Sequence, residues 1–163
     1  MNYFAFDTSA LIKCYRNEAG TANVLTITDA LFMHMPQRII TSRLIVAESV
    51  SVLKRKANIK ALTETELNLA IKELRREMLL VTSIILSDQV ADGCHSLILT
   101  HNINSADAMF LYQALQVSQI LGQSNHRVWL VASDARLLRA ADKEGLAILD
   151  PESADGQFAE TLL

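Results

Sequence analysis

The 163-residue sequence is poor in the residues that interrupt or staple a chain, with two prolines, five glycines and two cysteines. So little proline and glycine excludes long flexible linkers. Cys14 and Cys94 stand far apart without zinc-ligand spacing, and they read as reduced core residues of a cytoplasmic protein. His34, His95, His101 and His126 form no metal motif; the spacing of His95 and His101 sets them on different sides of a helix. No basic stretch followed by an apolar run opens the chain, and no window approaches the ~18 uninterrupted apolar residues of a membrane span, so neither a signal peptide nor a membrane segment is expected. An excess of positive charge is missing too, since the formal net charge is -3. Phosphate-binding surfaces usually leave a basic footprint, although divalent cations held in an acidic pocket would reverse its sign.

Apolar residues make up 50% of the chain and charged residues 20%, the balance of an ordered globular protein. The length suits one domain covering residues 1–163. Basic residues are uneven: Arg38, Arg43, Lys54, Arg55, Lys56, Lys60, Lys72, Arg75 and Arg76 crowd one stretch, which a solvated helical face explains more often than an RNA surface does.

Several short apolar runs end in polar residues. Tyr3 to Phe6 leads to Asp7, Ile39–Ile40 to Thr41 and Ser42, Val128 to Ala132 leads to Ser133 and Asp134, and Leu146 to Leu149 to Asp150 and Pro151. Such runs suit strands buried on both faces of a parallel sheet. Amphipathic helices lie between them. The clearest spans Glu64 to Met78, with Leu67, Ile71, Leu74 and Met78 in one stripe and a Thr63/Glu66 capping box at its start. Ser42 is expected to cap a helix through Leu53, Ser87 one through Leu99, Asn104 or Ser105 one through Ile120, and Ser133 one through Lys143. The segment from Leu79 to Ile85 fits either a strand or a helix tail, and the residues after Pro151 read as a loosely attached tail. Strand–helix alternation implies an α/β fold, a three-layer helix–sheet–helix sandwich with a mostly parallel sheet.

In such folds the ligand crevice lies outside the carboxyl ends of the strands. Asp7 closes the first strand there and Asp134 a later one. Glu48 falls on or beside the buried stripe of its helix, and Asp107 sits in a first helical turn above Phe110, Leu111 and Ala114. Each acid alone has an ordinary explanation: a cap for Asp7, a pairing with Arg43 or Arg55 for Glu48, and the helix dipole for Asp107 and Asp134. Four acids converging from separate elements would repel one another, so something positive is expected among them. Carboxylates and water suit Mg²⁺ or Mn²⁺, and no Cys/His set competes for zinc.

These same residues resemble a known family. The opening FDTSALIKCYRNEAG is similar to the start of PIN-domain nucleases, in particular VapC-type toxins of toxin–antitoxin pairs. TSRLIVAESVSVLKR carries the counterpart of their helix acid as Glu48, INSADAMFLYQAL their third acid as Asp107, and VWLVASDARLLRAADKEGLAILDP their closing strand–acid–helix–strand unit with Asp134. The resemblance covers nearly the whole chain in order. It implies a PIN-like fold, endoribonuclease activity with Mg²⁺ or Mn²⁺, a homodimer, and neutralisation by a small VapB-like antitoxin. The chain departs from the family in its extra length, and in Arg136 at a position where the family often has a further acid.

On this reading RNA phosphodiesters are hydrolysed, with Asp7, Asp107 and Asp134 holding one or two ions and Glu48 orienting water or acting as base. Thr8, Ser9 and Ser133 would hydrogen-bond the carboxylates or the scissile phosphate, and Arg136 could contact phosphate. Two rivals stand beside it. One is a PIN fold without catalysis, serving as a scaffold or RNA-holding surface. The other is phosphotransfer through an aspartyl-phosphate on Asp7, against which Ser9 stands where a phosphatase would want a second Asp. Residues alone leave open the RNA cleaved, toxin against housekeeping RNase, the identity of the antitoxin, and any part for Asp150.

Overall fold

Four of the apolar runs become strands because they can be covered on both sides. In the computed structural model, which describes residues 1–154 and 156–163, they form β1 (Asn2–Phe6), β2 (Ile39–Ser42), β4 (Arg127–Val131) and β5 (Ala147–Leu149), while the ambiguous stretch supplies the edge strand β3 (Thr82–Ile84). The strands are all parallel in the order β3-β2-β1-β4-β5. Along β1 and β4 side chains alternate between the two faces. Phe4, Phe6, Trp129 and Val131 enter one apolar cluster, and Ala5, Val128 and Leu130 enter the other.

The first cluster is closed by α2 (Thr21–His34), α3 (Ile45–Asn58), α4 (Glu64–Glu77) and α9 (Gly156–Thr161). On the opposite face lie α5 (Asp88–Gly93), α6 (His95–His101), α7 (Ser105–Gly122) and α8 (Ala135–Lys143). The result is the expected helix–sheet–helix sandwich. A short helix, α1 (Thr8–Leu11), follows β1 directly, so Asp7 is both the end of a strand and the N-cap of a helix. Among the described residues no helix is long and apolar enough to cross a membrane. Cys14 and Cys94 are free thiols.

Helix starts differ from expectation at two places. Ser42 does not cap α3: it is still paired to Ile84 in the sheet, and its hydroxyl accepts from Leu44 N at 3.3 Å while the helix begins at Ile45. Asp134 rather than Ser133 caps α8, its Oδ1 accepting from Arg136 N at 2.7 Å and Leu137 N at 3.2 Å. Ser87 does cap α5, but the expected continuous helix is two. Gly93 ends α5, packed so near Tyr112 that a Cβ there would fall 2.4 Å from the ring.

The chain after Pro151 is anchored, not loose. Ala159 and Leu162 are buried in the α2-side cluster. Lys13, 2% exposed, donates to Glu152 at 2.7 Å and to the Ala19 carbonyl at 2.8 Å, and it pairs with Glu18 at 3.3 Å. Gly20 (φ +81°) meets the same turn, where a Cβ would lie 2.7 Å from the Pro151 carbonyl carbon. A left-handed φ and that contact both require glycine here.

Candidate active site

Parallel pairing of β1 with β4 brings the two strand ends side by side, and Asp7 N donates to Val131 O at 3.0 Å. Asp7 and Asp134 therefore meet at one sheet edge despite their distance in sequence. Glu48 approaches from the first turn of α3 and Asp107 from the first turn of α7. All four acids, with Thr8, Ser9, Ala47, Ser51, Val52 and Arg55, line a single cleft of about 580 Å³.

Hydrogen bonds fix most of these side chains. Thr8 Oγ1 donates to Glu48 Oε2 at 2.8 Å, tying α1 to α3. Ser9 N donates to Asp7 Oδ2 at 2.8 Å. The Ser9 hydroxyl accepts from Ser133 N at 2.9 Å, clamping the β1 and β4 ends together. Asp107 is held by Asn104, whose Nδ2 donates to its Oδ2 at 2.7 Å while Oδ1 accepts from Asp107 N at 2.9 Å. Ser133 thus acts through its backbone N–H. Asp150 lies outside the group, taken up by Glu152 N and the Ser153 hydroxyl.

The electrostatics reflect crowding. Burial is the main cause raising the Asp7 carboxyl above the ordinary range; Ser9 and Thr8 hydrogen bonds oppose it and Asp134 adds to it. Asp107 is pushed up to about 7 by burial and by Asp7, Asp134 and Glu48, with Arg136 pulling the other way. A carboxyl raised by burial and by like charges would be eased by a cation beside it.

The donor set fits a hard divalent ion in its chemistry, being oxygen only. Glu48 Oε1, Asp107 Oδ1 and Asp134 Oδ2 carry no hydrogen bond among the described residues, so each acid keeps one oxygen free. The acids ring the cleft without closing on a point: among the described residues no three His, Cys, Asp or Glu side chains form a ready-made ion cage.

Sequence reasoning gathered the four acids but took Arg55 as an ion-pair partner for Glu48, a pair absent among the described residues, and did not single out the α3 wall beyond Glu48. Ser51 and Arg55 follow Glu48 at helical spacing (i+3, i+7), which is the signal that could have found them. Arg55 makes no ion pair among the described residues; its Nη1 donates to Ser51 Oγ at 3.0 Å.

The family model described as PIN domain matches residues 4–143. Among solved structures the chain is similar to FitAcB from Neisseria gonorrhoeae, with 19% identity, TM-score 0.64, and 93% of this chain and 99% of that one covered. It is also similar to a toxin–antitoxin complex from Klebsiella pneumoniae, at 18% identity and TM-score 0.57 over 90% and 96% of the two chains. A third similar structure is a VapC toxin of Mycobacterium tuberculosis that cleaves the sarcin–ricin loop, at 14% identity and TM-score 0.56 over 84% and 94%. At these identities the likeness is one of fold. No curated protein matches the chain.

Proposed function

The chain belongs to the PIN-domain family, and from that premise we propose that it is a divalent-metal-dependent endoribonuclease acting as the toxin of a toxin–antitoxin pair. The observation that carries this is the acid-lined cleft, where four carboxylates from four elements line one cavity and Asp107, raised to about 7 first by burial, is raised further by Asp7, Asp134 and Glu48. A repulsive cluster of this kind is costly for a fold and is explained by a cationic occupant.

Asp7, Asp107 and Asp134 are the residues that would hold Mg²⁺ or Mn²⁺. Bound there, the ion supplies Lewis acidity toward the scissile phosphate and lowers the pKa of the attacking water. Glu48, whose Oε2 accepts from Thr8 Oγ1, would orient that water and take its proton. Ser9 keeps Asp7 and the Ser133 backbone in register across the two strand ends. The exposed guanidinium of Arg136, near enough to act on Asp107, would face the substrate's phosphates.

Support for the toxin role comes from relatives that are toxins or toxin–antitoxin complexes. The reading extends to a cytoplasmic homodimer restrained by a small antitoxin, tested by size exclusion and by co-expression with the gene product encoded beside it. The direct test is RNA cleavage by the purified protein with Mg²⁺ or Mn²⁺. EDTA should stop it, and Asp7→Asn should abolish it while the melting temperature is retained. Undiminished cleavage by Asp7→Asn, or in EDTA, would sink the proposal.

A further inference from the structure

The cleft is longer than its acids. Beyond Glu48 its wall is one face of α3, built from Ala47, Ser51, Val52 and Arg55, and Arg55 is the one lysine or arginine that lines it among the described residues. Ala47 and Val52 are small, so this face forms a shallow floor between the acid cluster and the guanidinium.

Arg55 is not spent on neutralising the acids. It is exposed, makes no ion pair among the described residues, and is steadied by its hydrogen bond to Ser51 Oγ. Glu48 and Arg55 are two helical turns apart, roughly 10 Å along the axis. The bond to Ser51 leans the arginine back by one turn, the usual direction for a helical side chain. Its head therefore stands beside the carboxylate cluster but outside it. A guanidinium has five N–H donors in a planar fork. With one used by Ser51, the rest can engage two oxygens of a phosphate at once.

From this placement, and resting on the nuclease reading above, we infer that Arg55 is a substrate-binding residue that seats a phosphate flanking the scissile one. The α3 face then serves as a track for a single RNA strand leaving the acid cluster. A phosphate at the acids themselves needs the cation; one displaced along α3 meets Arg55 instead. The side on which the strand leaves the acids is thereby set, since Arg55 is the lysine or arginine that lines the cleft among the described residues.

The test uses the full chain with Mn²⁺ and a short RNA carrying a single methylphosphonate, moved one linkage at a time along the strand. Cleavage kinetics and binding by fluorescence anisotropy are both followed. Arg55→Ala should raise KM and Kd by about tenfold or more while kcat stays within about threefold, with an unchanged melting temperature because the side chain is exposed. Arg55→Lys should recover part of the loss. In wild type, one methylphosphonate position beside the cut should weaken binding by a similar factor, and that position should cost Arg55→Ala nothing further. Equal penalties at every position in both proteins, or an unchanged KM and Kd in Arg55→Ala, would overturn the inference. If wild type binds RNA with this signature but never cuts it, the chemistry proposed above falls and the phosphate seat stands. If it neither binds nor cuts, both fall.

Discussion

Thr8 Oγ1 donates to Glu48 Oε2 at 2.8 Å, so the aim of the α3 acid is set by a hydroxyl on α1. Thr8→Val keeps the volume and removes the donor. Because Glu48 is only half-buried, water can replace the lost bond and the fold should tolerate the change. Cleavage is expected to fall roughly 10–100-fold, the usual cost of losing a residue that orients a metal-site ligand, with a melting curve close to wild type. A variant that cuts at the wild-type rate would remove Thr8 from the site. Asp107 gives a second test at this scale. Its carboxyl lies at about 7 in the folded protein against an ordinary 3.8. For an acid raised by folding, the stabilising form is the protonated one: that contribution is complete below 3.8 and is lost as pH climbs through about 7. A shift of that size would amount to roughly 4 kcal/mol at full value, and screening of this half-buried group reduces it to about 1–2 kcal/mol. Urea denaturation in EDTA should therefore show a less stable protein at pH 8 than at pH 5, and Asp107→Asn should flatten the difference. An equal pH dependence in the variant would assign the effect to other groups.

At the scale of elements, α9 is the one whose role departed furthest from its sequence. Leu162 follows it and is 7% exposed, in the same cluster as Phe4, Trp129 and Leu149. Leu162→Ala should lower stability by about 2–3 kcal/mol, as for other buried leucines; urea denaturation measures it, and no change would mean that the tail is dispensable. The tail looked loose because it offers one short helix with weak periodicity, and its anchors lie in distant parts of the chain: Lys13 for Glu152, and Asn23 for the Pro151 and Ala154 carbonyls. β1, β2, β4 and β5 were legible because strands covered on both faces carry short continuous apolar runs, even though β2 also buries Thr41 and Ser42. The α3 start was not, since a serine at a strand end and a serine at a helix cap look alike in sequence, and pairing to Ile84 decides between them. The same division runs through the site. Asp7 and Asp134 were legible from the rule about strand ends, whereas the Ser9–Ser133 clamp exists only because β1 and β4 are neighbours.

Over the whole molecule the charge is −3, yet its distribution is sided. Of the basic run, Arg38 is buried and donates to the Asn2 carbonyl at 2.6 Å, leaving it no surface role. Lys54, Lys56 and Arg76 are matched by Glu64, Glu18 and Glu73. Arg43, Arg55, Lys60, Lys72 and Arg75 remain exposed and without ion pairs among the described residues, all on or beside α3 and α4; Arg55 lines the acid cleft, whereas Arg43 and Arg75 line a separate pocket. A polyanion entering the cleft would thus meet acids at the centre, offset there by divalent ions, Arg55 on the α3 wall, and further free cations only where it runs on beyond the cleft over α3 and α4. The number of cations it engages is measurable, because each phosphate neutralised on a single strand releases condensed counterions and contributes about −0.7 to the slope of log K against log salt. With three or four engaged, RNA binding at fixed Mn²⁺ should weaken roughly 20- to 50-fold between about 50 and 200 mM monovalent salt. Removing Arg55 should lower the slope by about one cation's share. A slope near zero would make the basic run a solvated helical face and nothing more, and would leave the acids to bind substrate through their ions alone.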